Sequence, residues 1–187
     1  EWEGANWSLR STTGPMPRDE HGMAFDESRG VTLLVGGRTR IDGVFTTLHD
    51  AWEWDGSDWV QRSAYDPIPQ PGNMTFDSVR GAPIYLSTST SKYWNGTAWI
   101  VIQDSQSNRP LVNAVAFDTH RGLAMVWDAG TRSGALHEWD GQAFQPRVGP
   151  SPYAQTGATL AYDSRRGITV FTGDQGTWEW DGVRFLH

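Results

Sequence analysis

The chain has 187 residues, enough for one domain with a real core. Its 21 glycines, 10 prolines and 11 tryptophans, set against only 20% charged residues, suit a turn-rich all-β protein better than a helical one. A net charge of −7 without a basic run argues against a nucleic-acid partner, no apolar stretch has membrane-spanning length, and the lack of cysteine excludes disulfides, zinc–thiolate sites and cysteine nucleophiles.

In chain order, the first element is a hairpin over residues 1–10, opened by "EWEGANW". Relatives of that stretch return as "EWDGSDW" at Glu53, "YWNGTAW" at Tyr93, "EWDGQAF" at Glu138 and "EWDGVRF" at Glu179. A second motif interleaves with it: "AFDESRG" from Ala24, "TFDSVRG" from Thr75, "AFDTHRG" from Ala116 and "AYDSRRG" from Ala161. Successive copies lie roughly 40 to 50 residues apart, the period of propeller blades. Each full unit reads as an apolar strand ending in Phe-Asp or Tyr-Asp, an Arg-Gly turn and a second apolar strand. A variable loop follows, then a strand ending in Trp, a tight turn and a last aromatic strand. The units span approximately residues 17–62, 70–102, 110–147 and 155–187 of a single domain, 1–187. The expected fold is a β-propeller of four four-stranded antiparallel blades, with a closed ring preferred to an arc of a larger one. The Trp-Gly hairpins number one more than the Arg-Gly hairpins, and the surplus copy is N-terminal.

Asp-Gly and Asn-Gly favour two-residue type I′ hairpins, so Asp55 with Gly56, Asn95 with Gly96, Asp140 with Gly141 and Asp181 with Gly182 are predicted to be such loops. That register sets Trp52 opposite Trp59, Lys92 opposite Trp99, His137 opposite Phe144 and Trp178 opposite Phe185. In the other motif, Asp26, Asp77, Asp118 and Asp163 each precede an arginine by three residues. They read as turn formers accepting backbone N–H bonds, with the glycine after each arginine left-handed. Four equivalent copies argue against an acid, base or metal role. The predicted core comprises residues 31–35, 123–127 and 168–171 with Phe25, Phe76, Phe117 and Tyr162.

"MPRDEHGMAFDESRGVTLLVGG" followed by "DAWEWDGSDWVQRS" resembles the bacterial kelch-type repeat of the propeller superfamily that includes the central domain of galactose oxidase. The first unit carries the resemblance most fully, with Gly36 and Gly37 in place; the later units have "STSTS", "DAG" and "TGDQG" there. The resemblance implies a propeller and no particular activity. The copper oxidases of that group use a tyrosine cross-linked to a cysteine, which this chain does not have.

Binding residues concentrate on loops held by a rigid scaffold, and the loops that differ most between units lie opposite the repeated turns. They single out Arg38, Arg40, Asp42, Phe45, His49, Asp128, Arg132, Tyr153, Gln155 and Asp174 as candidate binding residues. His21 and His49, with one strand between them, stand about 9.5 Å apart, too far for one metal ion. No catalytic residue, metal or cofactor is expected. The favoured function is a binding module that presents its variable loops to a protein or glycan; the alternatives are a mutarotase-type sugar enzyme and an architectural domain of a larger surface protein. A start without Met reads as a mature or excised piece, with an extracellular or cell-surface setting favoured.

Overall fold

A computed structural model describes residues 1–63, 73–102, 109–130, 134–147, 157–174 and 176–186. Every regular element among them is a β-strand. The chain divides into two compact units, Glu1–Gly72 and Asn73–His187.

The first unit opens with the 1–10 hairpin, in which Trp2 bridges Trp7 and the Ser8 N–H donates to the Glu1 carbonyl at 2.8 Å. One four-stranded sheet follows, built from β1 (Gly22–Asp26), β2 (Val31–Val35), β5 (Ala51–Trp54) and β6 (Trp59–Ser63) in that order. Between β2 and β5 the chain makes a separate two-stranded sheet, β3 (Arg38–Ile41) and β4 (Val44–Thr47).

The second unit holds three four-stranded sheets. They are β7 (Met74–Asp77), β8 (Ala82–Leu86), β9 (Ser91–Trp94) and β10 (Trp99–Ile102); β11 (Val112–Asp118), β12 (Leu123–Asp128), β13 (Ala135–Trp139) and β14 (Phe144–Pro146); and β15 (Thr159–Asp163), β16 (Ile168–Gly173), β17 (Gly176–Trp180) and β18 (Phe185–Leu186). All four large sheets are antiparallel meanders, the blades of a β-propeller.

The Asp-x-x-Arg-Gly segments form four-residue loops, with Asp26, Asp77, Asp118 and Asp163 opposite Val31, Ala82, Leu123 and Ile168. The closing glycines, Gly30, Gly81, Gly122 and Gly167, have φ of 67, 68, 70 and 68°, the left-handed geometry expected of them. Each aspartate Oδ1 accepts the N–H groups two and three residues on, as in Asp118 with His120 and Arg121, both at 3.0 Å. The arginine then links the two turns of its blade. Arg29 donates to Asp26 at 2.7 Å and to Glu53 at 2.6 Å, Arg121 to Asp118 at 2.7 Å and Glu138 at 2.5 Å, and Arg166 to Asp163 at 2.7 Å and Glu179 at 2.6 Å. In the β7–β10 blade Tyr93 replaces the glutamate, and the Arg80 guanidinium lies 5.2 Å from its ring centre. Asp26 (1% exposed), Glu53 (2%), Asp118 and Glu138 are buried carboxylates, whereas Asp163 and Glu179 are half-buried.

The Trp-Asp-Gly turns correct the predicted register. Trp54 faces Trp59, Trp94 faces Trp99, Trp139 faces Phe144 and Trp180 faces Phe185, so each loop has four residues and not two. Trp52 therefore pairs with Gln61, Lys92 with Val101 and His137 with Pro146. The reason is the aspartate side chain. Asp55 Oδ1 accepts the N–H groups of Ser57 and Asp58 at 2.8 and 2.9 Å, a bonding pattern that keeps Asp55 out of positive φ while Gly56 takes φ 99°. The longer loop also sets the two aromatic rings against each other at a tilt across the hairpin, with centroids 5.5 Å apart for Trp54 and Trp59 and 5.0 Å for Trp180 and Phe185.

In the second unit consecutive blades stack through their sheet faces. One cluster joins Ile84, Leu86 and Ile102 to Phe117, Val126, Trp139 and Phe144; the next joins Met125, Trp127 and Leu136 to Ala158, Phe171 and Trp180. Trp127 and Phe171 approach to 4.3 Å between ring centres. Of the predicted core, Leu33, Leu34, Val35, Phe117, Ala124, Met125, Val126, Trp127 and Phe171 are buried, whereas Phe76 and Tyr162 are half-buried. Phe25 departs from expectation: it is 54% exposed.

Candidate functional site

The hairpin β3–β4 is the insertion that sets the first unit apart. It leaves β2 through Gly36 and Gly37, at φ 61 and 94°. A Cβ on Gly37 would lie 2.6 Å from the Asp19 carbonyl, so only glycine lets the two segments meet. Asp19 and Arg38 then exchange backbone hydrogen bonds of 3.0 and 2.9 Å. At the tip, Asp42 and Gly43 both have positive φ, 50 and 81°, and Ile41 faces Val44. This is the two-residue Asp-Gly turn, found in the first unit's insertion and not at the repeated Trp-Asp-Gly sites.

The base of this hairpin is pinned by Arg18, whose side chain is 3% exposed. Its guanidinium makes a two-pronged bond to Asp50, Nη1 to Oδ1 at 2.5 Å and Nη2 to Oδ2 at 3.0 Å, and Nη1 also donates to the Gly36 carbonyl at 2.8 Å. Burial disfavours charge on Asp50, yet the bonds from Arg18 and from Trp52 Nε1 (2.7 Å) outweigh it and hold the carboxyl below its usual pKa.

Of the residues singled out by sequence, Arg38, Arg40 and Phe45 come together. Phe45 is 51% exposed, with the Arg38 and Arg40 guanidiniums 4.5 and 4.3 Å from its ring centre. Arg38 is further tied to Asp19 at 2.8 Å and Glu20 at 2.9 Å. Asp42 sits at the exposed tip and His49, half-buried, at the base. Asp128, in the second unit, is a buried turn former whose Oδ1 accepts from the N–H groups of Leu111 (2.9 Å) and Gly130 (2.7 Å). Asp174 is exposed beside the β16–β17 turn. Arg132, Tyr153 and Gln155 lie outside the described residues. Among the described residues no group of three or more His, Cys, Asp or Glu is placed to hold a metal ion.

Sequence reasoning missed a second concavity in the first unit, a groove of about 500 Å³ between the 1–10 hairpin and the sheet, walled by Trp7, Leu9, Met23, Thr32, Trp54 and Trp59. Glu1 and Arg10 form its rim. A signal was present: Glu1 and Arg10, Glu53 and Arg62, and Glu138 and Arg147 share one spacing, and each pair is bonded.

No family model matches the chain, and no curated protein does. Among solved structures, that of YjhT is similar over 91% of this chain and 70% of its own, with a TM-score of 0.63 at 11% identity. The crystal structure of a Nidogen/Laminin complex contains a chain similar over 89% of this one and 78% of its own, with a TM-score of 0.52 at 16% identity. These likenesses establish the fold alone. No helix among the described residues is long and apolar enough to cross a membrane.

Proposed function

We propose that this propeller is an interaction module, with β3–β4 as its contact element for a protein or glycan that carries carboxylate groups. The carrying observation is the exposed Phe45 ring flanked by two guanidiniums on a hairpin whose base is locked by Arg18 and Asp50. Arginine donors match carboxylate oxygens, and an aromatic face beside them gives a sugar ring or an apolar side chain a surface to rest on. A hairpin held rigid before contact loses little conformational entropy on binding. The recurring Asp-x-x-Arg-Gly and Trp-Asp-Gly turns support a place among kelch-type propellers.

The test is an array of carboxylated glycans and acidic peptides probed with the native chain, Arg40→Ala and Phe45→Ala. A specific ligand should bind the native chain and lose at least about tenfold in each variant, the worth of one good contact. Capture retained by a folded Arg40→Ala, Phe45→Ala double variant would show that β3–β4 is not the site.

A further inference from the structure

Two residues set the junction between the β7–β10 and β11–β14 blades apart from the one that follows it. The first is Tyr93. Arg29, Arg121 and Arg166 each donate to two carboxylates, whereas Arg80 meets only Asp77, with Nε 3.6 Å from Oδ2. Tyr93 stands where those blades have glutamate and offers Arg80 the face of a ring, which takes up none of the guanidinium's in-plane N–H groups. Among the described residues the Arg80 side chain makes no hydrogen bond. The second is Phe117. Its counterpart in the next blade is Tyr162, whose pKa is raised by burial and by the neighbouring Asp118 carboxylate, so a hydroxyl stands beside the turn aspartate there. Phe117 brings no hydroxyl to Asp77.

Both differences fall on one pocket of about 210 Å³, lined by Asp77, Val79, Arg80, Phe117, Trp139 and Asp140. Phe117 and Trp139 are its buried side, and Val79, 75% exposed, is its outer lip. Two turn glycines give it room. A Cβ on Gly141 would stand 3.5 Å from Arg80 Nη2, and one on Gly122 would stand 2.9 Å from Val79 Cγ2. Asp77 Oδ1 accepts the N–H groups of Val79 and Arg80, both at 2.9 Å, and Asp140 Oδ1 accepts those of Gln142 and Ala143 at 2.9 and 2.8 Å. The second oxygen of each carboxylate accepts no hydrogen bond among the described residues. The pocket therefore holds open acceptors and open donors together, beside an apolar wall.

Charge selects the ligand class. An anion would face two carboxylates, and a cation would face a guanidinium. A neutral molecule with neighbouring hydroxyls meets neither penalty. We propose that this pocket binds a neutral hexose residue. One hydroxyl donates to Asp77, as a phenol would from position 117. A second accepts from Arg80, as glutamate does from the other turn arginines, and the C–H face of the ring lies along Val79 and Phe117. The pocket lies within the second unit and shares no residue with β3–β4, so either reading can fail without the other.

The probes are the methyl glycosides of glucose, galactose and mannose, titrated into the native chain. The Gly122 and Gly141 amide signals and the Arg80 Nε–H signal report on the pocket from three sides. At least one glycoside should shift all three saturably below about 50 mM. Two substitutions copy the next junction into this one: Phe117→Tyr restores the hydroxyl and Tyr93→Glu the carboxylate. Each should weaken binding at least about tenfold in protein shown by its thermal melt to be folded, while the Arg40→Ala, Phe45→Ala double variant should bind as the native chain does. The uronic acid of the best-bound sugar should bind more weakly than its neutral parent. The proposal is overturned by the absence of these shifts, by binding that survives both substitutions, or by tighter binding of the uronic acid. If neither substituted chain folds, the native titration and the uronic acid comparison decide.

Discussion

Replacing Arg121 with alanine tests what the turn-to-turn arginines contribute. Arg121 is 27% exposed, whereas the two carboxylates it holds, Asp118 and Glu138, are each 3% exposed at the side chain. Removing one partner of a buried ion pair typically costs about 3–5 kcal/mol, since the remaining charge stays buried. Asp118 keeps its two backbone N–H donors and Glu138 keeps Arg147, which reduces the loss to about 2–3 kcal/mol. With a urea dependence of roughly 2 kcal/mol per molar, the unfolding midpoint should fall by about 1 M. Arg166→Ala is the internal control, because the same two bonds there link side chains that are 48, 33 and 33% exposed. Its midpoint shift should be much smaller and should vanish in high salt, as expected of screened pairs. Equal losses for the two variants would refute the claim that burial of the carboxylates, rather than the bond pattern, sets the contribution.

Gly56→Val should destabilise the fold by about 1–2 kcal/mol through backbone geometry alone, since its φ of 99° resists any side chain and no atom lies within 4 Å of the added Cβ; differential scanning calorimetry checks it, and an unchanged midpoint contradicts the turn assignment. Acid should unfold the protein from the carboxylate side. Burial opposes ionisation of Asp26 and Asp118, but bonds from Ser28 and Arg29 and from Arg121 override it, so both pKa values lie below their unfolded values. The stability they contribute is present above about pH 4 and is lost as pH falls through the lower folded values. Tryptophan emission followed from pH 6 to 2 should show this transition, and Asp118→Asn should flatten it.

The sequence shows its blades through spacing. The alternation of Phe-Asp-x-x-Arg-Gly with Trp-x-Gly placed all four sheets, because each motif is a turn whose geometry is local. It placed the Trp-Asp-Gly register wrongly by two residues, because Asp55 bonds two backbone N–H groups and so selects a longer loop than the dipeptide alone suggests. The tight turn at Asp42 and Gly43 carries the same dipeptide signal but stands in the first unit's variable loop, outside the repeat that marks the others. For the site, the insertion and its Arg38, Arg40 and Phe45 were legible as a departure from the repeat. The anchor was not: Arg18 and Asp50 are 32 residues apart, and nothing in either neighbourhood announces a pair. Asp128 looked free in sequence and is consumed by its own turn, because a buried loop must satisfy its N–H groups.

The exchange of glutamate for Tyr93 bears on how such a chain drifts. Three blades offer the turn arginine a carboxylate and one offers it the face of a phenol, yet the strands on either side keep the same pairing. What the position demands is electron density opposite a guanidinium, and two unrelated side chains supply it. A repeat held together in this way can change its spelling at the joint while its mechanics stay put. Copies can then grow apart faster in letters than in form, as Tyr93 at the place of Glu53, Glu138 and Glu179 illustrates. The guanidinium is the fixed half of the bargain, so the arginines are the letters by which distant blades of this kind are best aligned.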